Sequence, residues 1–312
     1  MKTVYFNSSD NERLRRERLY AGELYVYSPT PSGIALCDFA RDLCEEAFAP
    51  HDPREAQHQL AVETYVEILK TLKPKFIHHP ECKKLIPALL EELGCDLEQT
   101  YFDVPRLRTA CAGDYLNSGL AYAFKPHRDT WYSTPMSQLN WWLPVYPIES
   151  NNAMAFHPAY WDTPIQNSSA LFNYQDWNDR GRREAAKQIG KDTRVQSEAL
   201  EPLTRLDPQI RLVPEPGGLI VFSAAHLHST VPNTTDQTRF SIDFRTVDAR
   251  DTRAMRGAPN IDGLSTGTTM MDYLRGSDQL HFPDDEIQRF KDAQPVAQYP
   301  TPDEVLSRLF SA

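Results

Sequence analysis

The chain has 312 residues, 40% of them hydrophobic and 24% charged, and carries a formal charge of −10. That length suits one large domain or two ordinary ones, and so ordinary a composition excludes a disordered or fibrous chain. The acidic balance argues against nucleic acid as a partner, and the lack of any apolar run of about 18 residues argues against a membrane span.

Residues 1–20 show no apolar core of a secretory leader. Cys37, Cys44, Cys82, Cys95 and Cys111 are odd in number, scattered, and free of any closely spaced pair. Together these features predict reduced, mostly buried thiols in a cytoplasmic protein.

Residues 1–100 read as helical. Asp38 is placed to cap a helix that runs through Phe48. Val62, Tyr65, Val66, Leu69 and Leu72 recur at helical spacing. So do Leu85, Ile86, Leu89, Leu90 and Leu93, with Gly94 placed as a C-cap and Pro87 predicting a kink or a late start.

From Tyr101 the pattern changes to short β-type runs: "YFDVPRLRTAC", "LAYAFK", "SQLNWWLPVY", "NAMAFHP", "GGLIVFSAAH" and "TRFSIDFRTV". Pro, Gly, Asn and Ser clusters separate them, which predicts an all-β sandwich or barrel over residues 101–250. A polar insert occupies about residues 168–216, with a helical stretch over about 179–189. Residues 251–312 form an irregular extension, ending in a helix opened by Thr301, Pro302 and the acids that follow. The whole reads as one catalytic domain, mainly β with flanking helices.

Within "KPHRDTWYS", His127 and Asp129 stand two residues apart. In extended chain such a pair points to one side and can hold one cation. Downstream, "GGLIVFSAAHLHSTVPNTTDQTRFSIDF" sets His226 and His228 after an apolar strand and Arg239 eleven residues past His228. A second histidine would complete a face of two imidazoles and one carboxylate, which leaves neighbouring positions of Fe(II) open. An arginine on the adjacent strand suits a carboxylate, because its planar fork donates two parallel hydrogen bonds.

"PHRDTW" followed by "HSTVPNTTDQTRFS" resembles the phytanoyl-CoA dioxygenase-like branch of the Fe(II)/2-oxoglutarate oxygenases. That branch shows H-x-D, then H-x-x-x-P-N, then an arginine eleven residues after the distal histidine. The resemblance covers about residues 106–247. The family's Pro-Gly-Ser-His turn is replaced here by "HPAYW". The resemblance implies a double-stranded β-helix, a cupin-like jelly-roll, with His127, Asp129 and His228 as metal ligands and catalytic centre. It implies Fe(II), 2-oxoglutarate and O₂, with Arg239 on the far carboxylate of 2-oxoglutarate. The implied reaction hydroxylates an unactivated C–H bond of a small-molecule natural product or metabolite, releasing succinate and CO₂. A carboxylate at Asp129 disfavours halogenation, since halogenating relatives leave that position to a halide.

Other residues are candidates of lower rank. His226 competes with His228 as the distal ligand, but only His228 has the spacing to Arg239. Gln138 and Asn140 share a polar strand face and are candidates for 2-oxoglutarate. Trp131, Tyr132 and Arg245 are candidates for substrate contact. Arg106 and Arg108 are placed to meet an anionic group or to pair with Asp103 or Asp114. Trp161 and Trp177 flank the insert as candidate lid residues, and His157 is expected to point outward or pack rather than bind metal. Two rival readings share the motif: a cupin-like metal enzyme without 2-oxoglutarate, and a non-catalytic jelly-roll that binds a ligand. Substrate identity and oligomeric state are not written in the sequence.

Overall fold

The computed structural model describes residues 3–181, 188–189 and 196–293. The strands are β1 (Val4–Phe6), β2 (Leu24–Tyr27), β3 (Thr100–Phe102), β4 (Arg106–Ala110), β5 (Leu139–Pro144), β6 (Met154–Phe156), β7 (Ile210–Leu212), β8 (Leu219–Ser223), β9 (His228–Thr230), β10 (Arg239–Asp248) and β11 (Leu274–Arg275). The larger sheet runs β1-β2-β8-β5-β10-β3-β11, with β4 also paired to β10. A smaller sheet runs β7-β6-β9. β10 is the spine: it pairs with β5 along one edge and with β4 and then β3 along the other, antiparallel throughout.

Strand alternation sends neighbouring residues to opposite layers. Phe240, Ile242 and Phe244 of β10 join Trp141, Leu143 and Val221 in the main core. That core is completed by Leu19 of α1 (Glu12–Tyr20), Leu36 and Cys37 of α2 (Pro31–Phe48), Leu69 and Phe76 of α3 (Val62–Ile77), and Leu89 of α4 (Cys82–Glu92). On the opposite face Trp142, Ile220 and Phe222 meet Met154, Phe156 and Leu212 of the smaller sheet. The larger sheet is therefore covered by helices on one side and by the smaller sheet on the other.

Several expectations need correction. α2 begins well before Asp38: the Thr30 hydroxyl accepts from Gly33 N at 3.1 Å and Pro31 takes the first helical position. Pro87 lies inside α4 and does not delay its start. Gly94, at φ +75°, follows that helix as expected of a C-terminal glycine. The helical reading of residues 1–100 missed β1 and β2; all four residues of β2 are buried, so no polar alternation marks it. "LAYAFK" is not a strand: Gly119–Ala121 is a short 3-10 turn, Tyr122 turns toward Phe124, and Phe124 turns toward His127. In the insert Trp177–Gly181 forms a π-turn, and residues 182–187 of the expected helix lie outside the described residues, as does the helix at Thr301. A helix over Asp284–Asp292 was not foreseen. All five cysteines are free and buried, as expected. No described helix is long and apolar enough to cross a membrane.

Candidate metal centre

His127 and His228 sit opposite each other across a short antiparallel bridge, each backbone N donating to the other's carbonyl at 2.9 and 3.0 Å. Arg128 is extended (φ −111°, ψ 140°), so the side chains of His127 and Asp129 emerge on one side and that of Arg128 on the other. The chain then closes into a 3-10 turn over Asp129–Tyr132. The result is a cluster in which ligand atoms of His127, Asp129 and His228 lie within 4.8 Å of one another, all three residues buried. Asp129 Oδ1 is 3.4 Å from His127 Nε2 and 3.9 Å from His228 Nε2.

Hydrogen bonds fix which atoms face inward. Nδ1 of His127 lies 2.8 Å from the Lys125 carbonyl, and Nδ1 of His228 lies 3.0 Å from the His226 carbonyl. A carbonyl can only accept, so each Nδ1 carries a hydrogen, and in the neutral form of each ring the Nε2 lone pair turns toward Asp129. Burial and the neighbouring His127 pull the His228 pKa down to about 4, which keeps that ring neutral at pH 7. Burial alone would raise the Asp129 pKa; the charge of Arg245 outweighs it and holds the carboxyl well below the usual range. With His228 neutral, Arg245 and the amide donors described below carry that effect. Two lone pairs and a carboxylate oxygen thus converge with no hydrogen between them. That arrangement is repulsive on its own and fits a divalent cation with nitrogen and oxygen ligands.

The outer oxygen of Asp129 is committed elsewhere. Oδ2 accepts from Asn140 Nδ2 at 2.8 Å and from Gln138 Nε2 at 3.4 Å, with Arg245 Nε 3.8 Å away. Gln138 and Asn140, candidates for 2-oxoglutarate in the sequence, here hold the Asp129 carboxylate. Arg245 also pairs with Asp103 at 3.2 Å and Asp243 at 3.6 Å. Arg106 pairs with Asp103 at 2.5 Å, the ion pair anticipated, while Arg108 pairs with Asp243 through two contacts at 2.6 and 3.2 Å.

Arg239 starts the same inward face of β10 that ends near Arg245. Its Nη1 donates to the Asn152 and Ala153 carbonyls at 2.7 and 3.1 Å, and its guanidinium lies 5.5 Å from the Trp142 ring centre. Among the described residues its buried Nε has no partner, and neither does the buried Ser241 hydroxyl two residues on. Burial lowers the Arg239 pKa to about 10, so the group stays charged at pH 7. A buried cation with a free donor beside a free hydroxyl fits an anionic oxygen ligand. Sequence reading missed Ser241; strand period two from Arg239 was the available signal.

Two candidates move away from the site. Trp131 is fully buried among Tyr160, Ile165 and Leu227, and its Nε1 donates to Asp262 Oδ1 at 2.8 Å, so it does not wall the pocket. Trp161 is not a lid: it lies 4.6 Å from the His226 ring and directly over Gly22. Tyr132 stays at the centre, edge-on to His127 at 5.8 Å and to Phe172 at 5.0 Å. His226 sits outside the cluster; its Nε2 lies 3.0 Å from the Gly22 carbonyl. His157 packs at 3% exposure, with Nε2 3.0 Å from the Ser229 hydroxyl. Arg128, passed over in the sequence, is buried: Nε pairs with Asp262 at 3.0 Å, and Nη1 and Nη2 donate to the Ala225 and Tyr160 carbonyls.

No protein-family model matches the chain, and no curated protein matches it. Solved structures do. EvdO2 from Micromonospora carbonacea var. aurantiaca, described as complexed with 2-oxoglutarate, is 15% identical over 78% of this chain and 92% of that one, with a TM-score of 0.45. The epimerase SnoN, described as in complex with Fe3+, alpha ketoglutarate and nogalamycin RO, is 16% identical over 76% of this chain and 85% of that one (TM-score 0.40). The non-heme monooxygenase ThoJ is 14% identical over 95% of this chain and 94% of that one (TM-score 0.42). Likeness this distant leaves function to be judged from the site itself.

Proposed function

We propose that the protein is an Fe(II)- and 2-oxoglutarate-dependent oxygenase of the phytanoyl-CoA dioxygenase-like kind. Its two facing sheets would be the double-stranded β-helix of that family, with residues 101–250 as the catalytic core and residues 1–100 packed on it. The observation that carries this reading is the convergence of two imidazole lone pairs and one carboxylate oxygen, beside a buried arginine whose Nε has no partner.

His127 Nε2, His228 Nε2 and Asp129 Oδ1 would hold iron from one face and leave the other open. Arg239 Nε and the Ser241 hydroxyl would take the far carboxylate of 2-oxoglutarate. Bound iron supplies the oxygen chemistry that couples loss of CO₂ from 2-oxoglutarate to oxidation of a C–H bond. Around it the protein's task is to orient and to exclude water. Phe124 packs tilted against the His127 ring and Tyr132 edge-on to it, and Arg108 with Asp243 gives the neighbouring wall a fixed charge pair. Such a wall suits a small molecule with an apolar body. Asp129 fills the position a halide would need, so hydroxylation is the default outcome.

The test is an anaerobic titration of metal-free protein with Fe(II) and then 2-oxoglutarate, followed by visible absorbance. A weak charge-transfer band that requires both additions, survives His226→Ala and is lost in His228→Ala is the expected result. Iron binding without such a band removes 2-oxoglutarate and leaves a cupin-like metal enzyme. No iron binding removes the enzyme reading and leaves a ligand-binding protein.

A further inference from the structure

We infer that Tyr273 is a positioning residue: it starts a one-way hydrogen-bond chain, through Gln138 and Asn140, that commits Asp129 Oδ2 and leaves Oδ1 as the single ligand oxygen. The inference rests on the metal reading above and goes beyond it, to how the carboxylate is kept in one coordination mode.

The chain can be followed atom by atom. The Tyr273 hydroxyl donates to Gln138 Oε1 at 2.7 Å. Gln138 Nε2 donates to Asn140 Oδ1 at 2.9 Å, and Asn140 Nδ2 donates to Asp129 Oδ2 at 2.8 Å. An ionised carboxylate only accepts, so Asn140 must turn its NH₂ to Asp129 and its oxygen to Gln138. Gln138 must then turn its own NH₂ inward and its oxygen outward. That last oxygen needs a donor, and Tyr273 is the donor it has. Without it either amide can flip and set an oxygen against the next acceptor. The chain is dry, with Tyr273 and Gln138 each 1% exposed and Asn140 5%, so bulk water does not replace the hydroxyl. Burial holds the Tyr273 pKa well above the ordinary value, and the donor is present at any working pH.

Tyr273 belongs to the segment that follows β10 and its helical end, a stretch with no metal ligand. The same segment grips the loop carrying His127 and Asp129 at other points. Asp262 takes both Arg128 Nε and Trp131 Nε1, the Thr266 carbonyl accepts from the Ser133 hydroxyl at 2.5 Å, and Thr269 N donates to the Ser133 carbonyl. Tyr273 is the point at which that grip reaches the carboxylate itself.

The test uses the metal-free full chain, with Zn(II) as the probe and aspartate carrying ¹³C in its carboxyl. Metal-induced infrared difference spectra report the separation of the two carboxylate stretches, which is wide for one-oxygen and narrow for two-oxygen binding. Zn(II) affinity is measured alongside, and thermal unfolding of the metal-free forms checks the fold. The parent protein should show a wide separation. Tyr273→Phe and Asn140→Ala should narrow it and weaken Zn(II) by roughly 10–100-fold, with Asn140→Ala the greater. A folded Tyr273→Phe with unchanged separation and affinity overturns the inference. If Tyr273→Phe does not fold, Gln138→Met breaks the chain one link on, and a narrow separation in the parent protein overturns the inference without any variant. Failure of the parent to bind Zn(II) at all sinks the metal reading instead.

Discussion

The two faces of β10 lie one residue apart in sequence and differ in almost every physical respect. Phe240, Ile242 and Phe244 are fully buried beneath the helices, in contact with other apolar groups. Arg239, Ser241, Asp243 and Arg245 point the other way, where the half-buried charges of Asp243 and Arg245 lie in pairs and two buried polar atoms, Arg239 Nε and Ser241 Oγ, have no partner among the described residues. The first face gains stability from burial in proportion to area. The second gives some up, since buried polar groups without partners cost free energy. Holding both on one strand lets a rigid apolar layer keep a costly polar layer in place.

The sharpest way to break that comparison is to cut one face at a time. Phe244→Ala on the apolar face should destabilise the fold by about 3–5 kcal/mol, read from urea unfolding. Metal affinity of the folded fraction should stay close to the parent's. Equal loss of both would mean that the two faces are not separable.

A buried ion pair gives an effect of similar size from the polar side. Asp262→Ala leaves the Arg128 guanidinium, 1% exposed, without its carboxylate and removes the acceptor of Trp131 Nε1. Stranding a buried charge costs about 3–5 kcal/mol. Here metal affinity should fall as well, because Arg128 is the residue between His127 and Asp129. Adding Arg128→Met should recover part of the loss, since the charge left stranded is then gone.

Arg239→Met should do the reverse of Phe244→Ala. Affinity for 2-oxoglutarate, measured calorimetrically on the metal-loaded protein, should weaken by about 2–5 kcal/mol. Stability of the ligand-free protein should be unchanged or raised, because a buried cation with an idle donor is gone. A large loss of stability would mean that Arg239 is a structural residue held by the Asn152 and Ala153 carbonyls.

Much of this contrast was legible beforehand, and the exceptions have physical causes. That His127, Asp129 and His228 come together could be expected from their residue types and spacing. β10 could be read because its faces differ so strongly. β2 could not, since a strand buried on both sides has no alternation. Tyr273 could not either, because only the path of the chain brings an aromatic from an irregular tail to Gln138. Trp131 misled because adjacency to a ligand in sequence says nothing about direction once the backbone enters a 3-10 turn.

Lys73 is the exception that tests the apolar face itself. It comes from α3 and is buried there, with Nζ donating to the Leu120 carbonyl. Burial, helped by the charge of Arg108, pulls its pKa from 10.5 down to about 7. The unfolded chain therefore binds a proton that the folded one releases between about pH 7 and 10.5. Stability rises with pH wherever the unfolded state binds more protons, so Lys73 should make the parent gain stability across that window. Lys73→Met has no such proton to release. Relative to it the parent should gain at most about 1.4 kcal/mol per pH unit above neutrality, and the gap between the two urea midpoints should move accordingly. A gap that does not change with pH would place the Lys73 ammonium in water and leave the layer beneath the helices more open than its packing indicates.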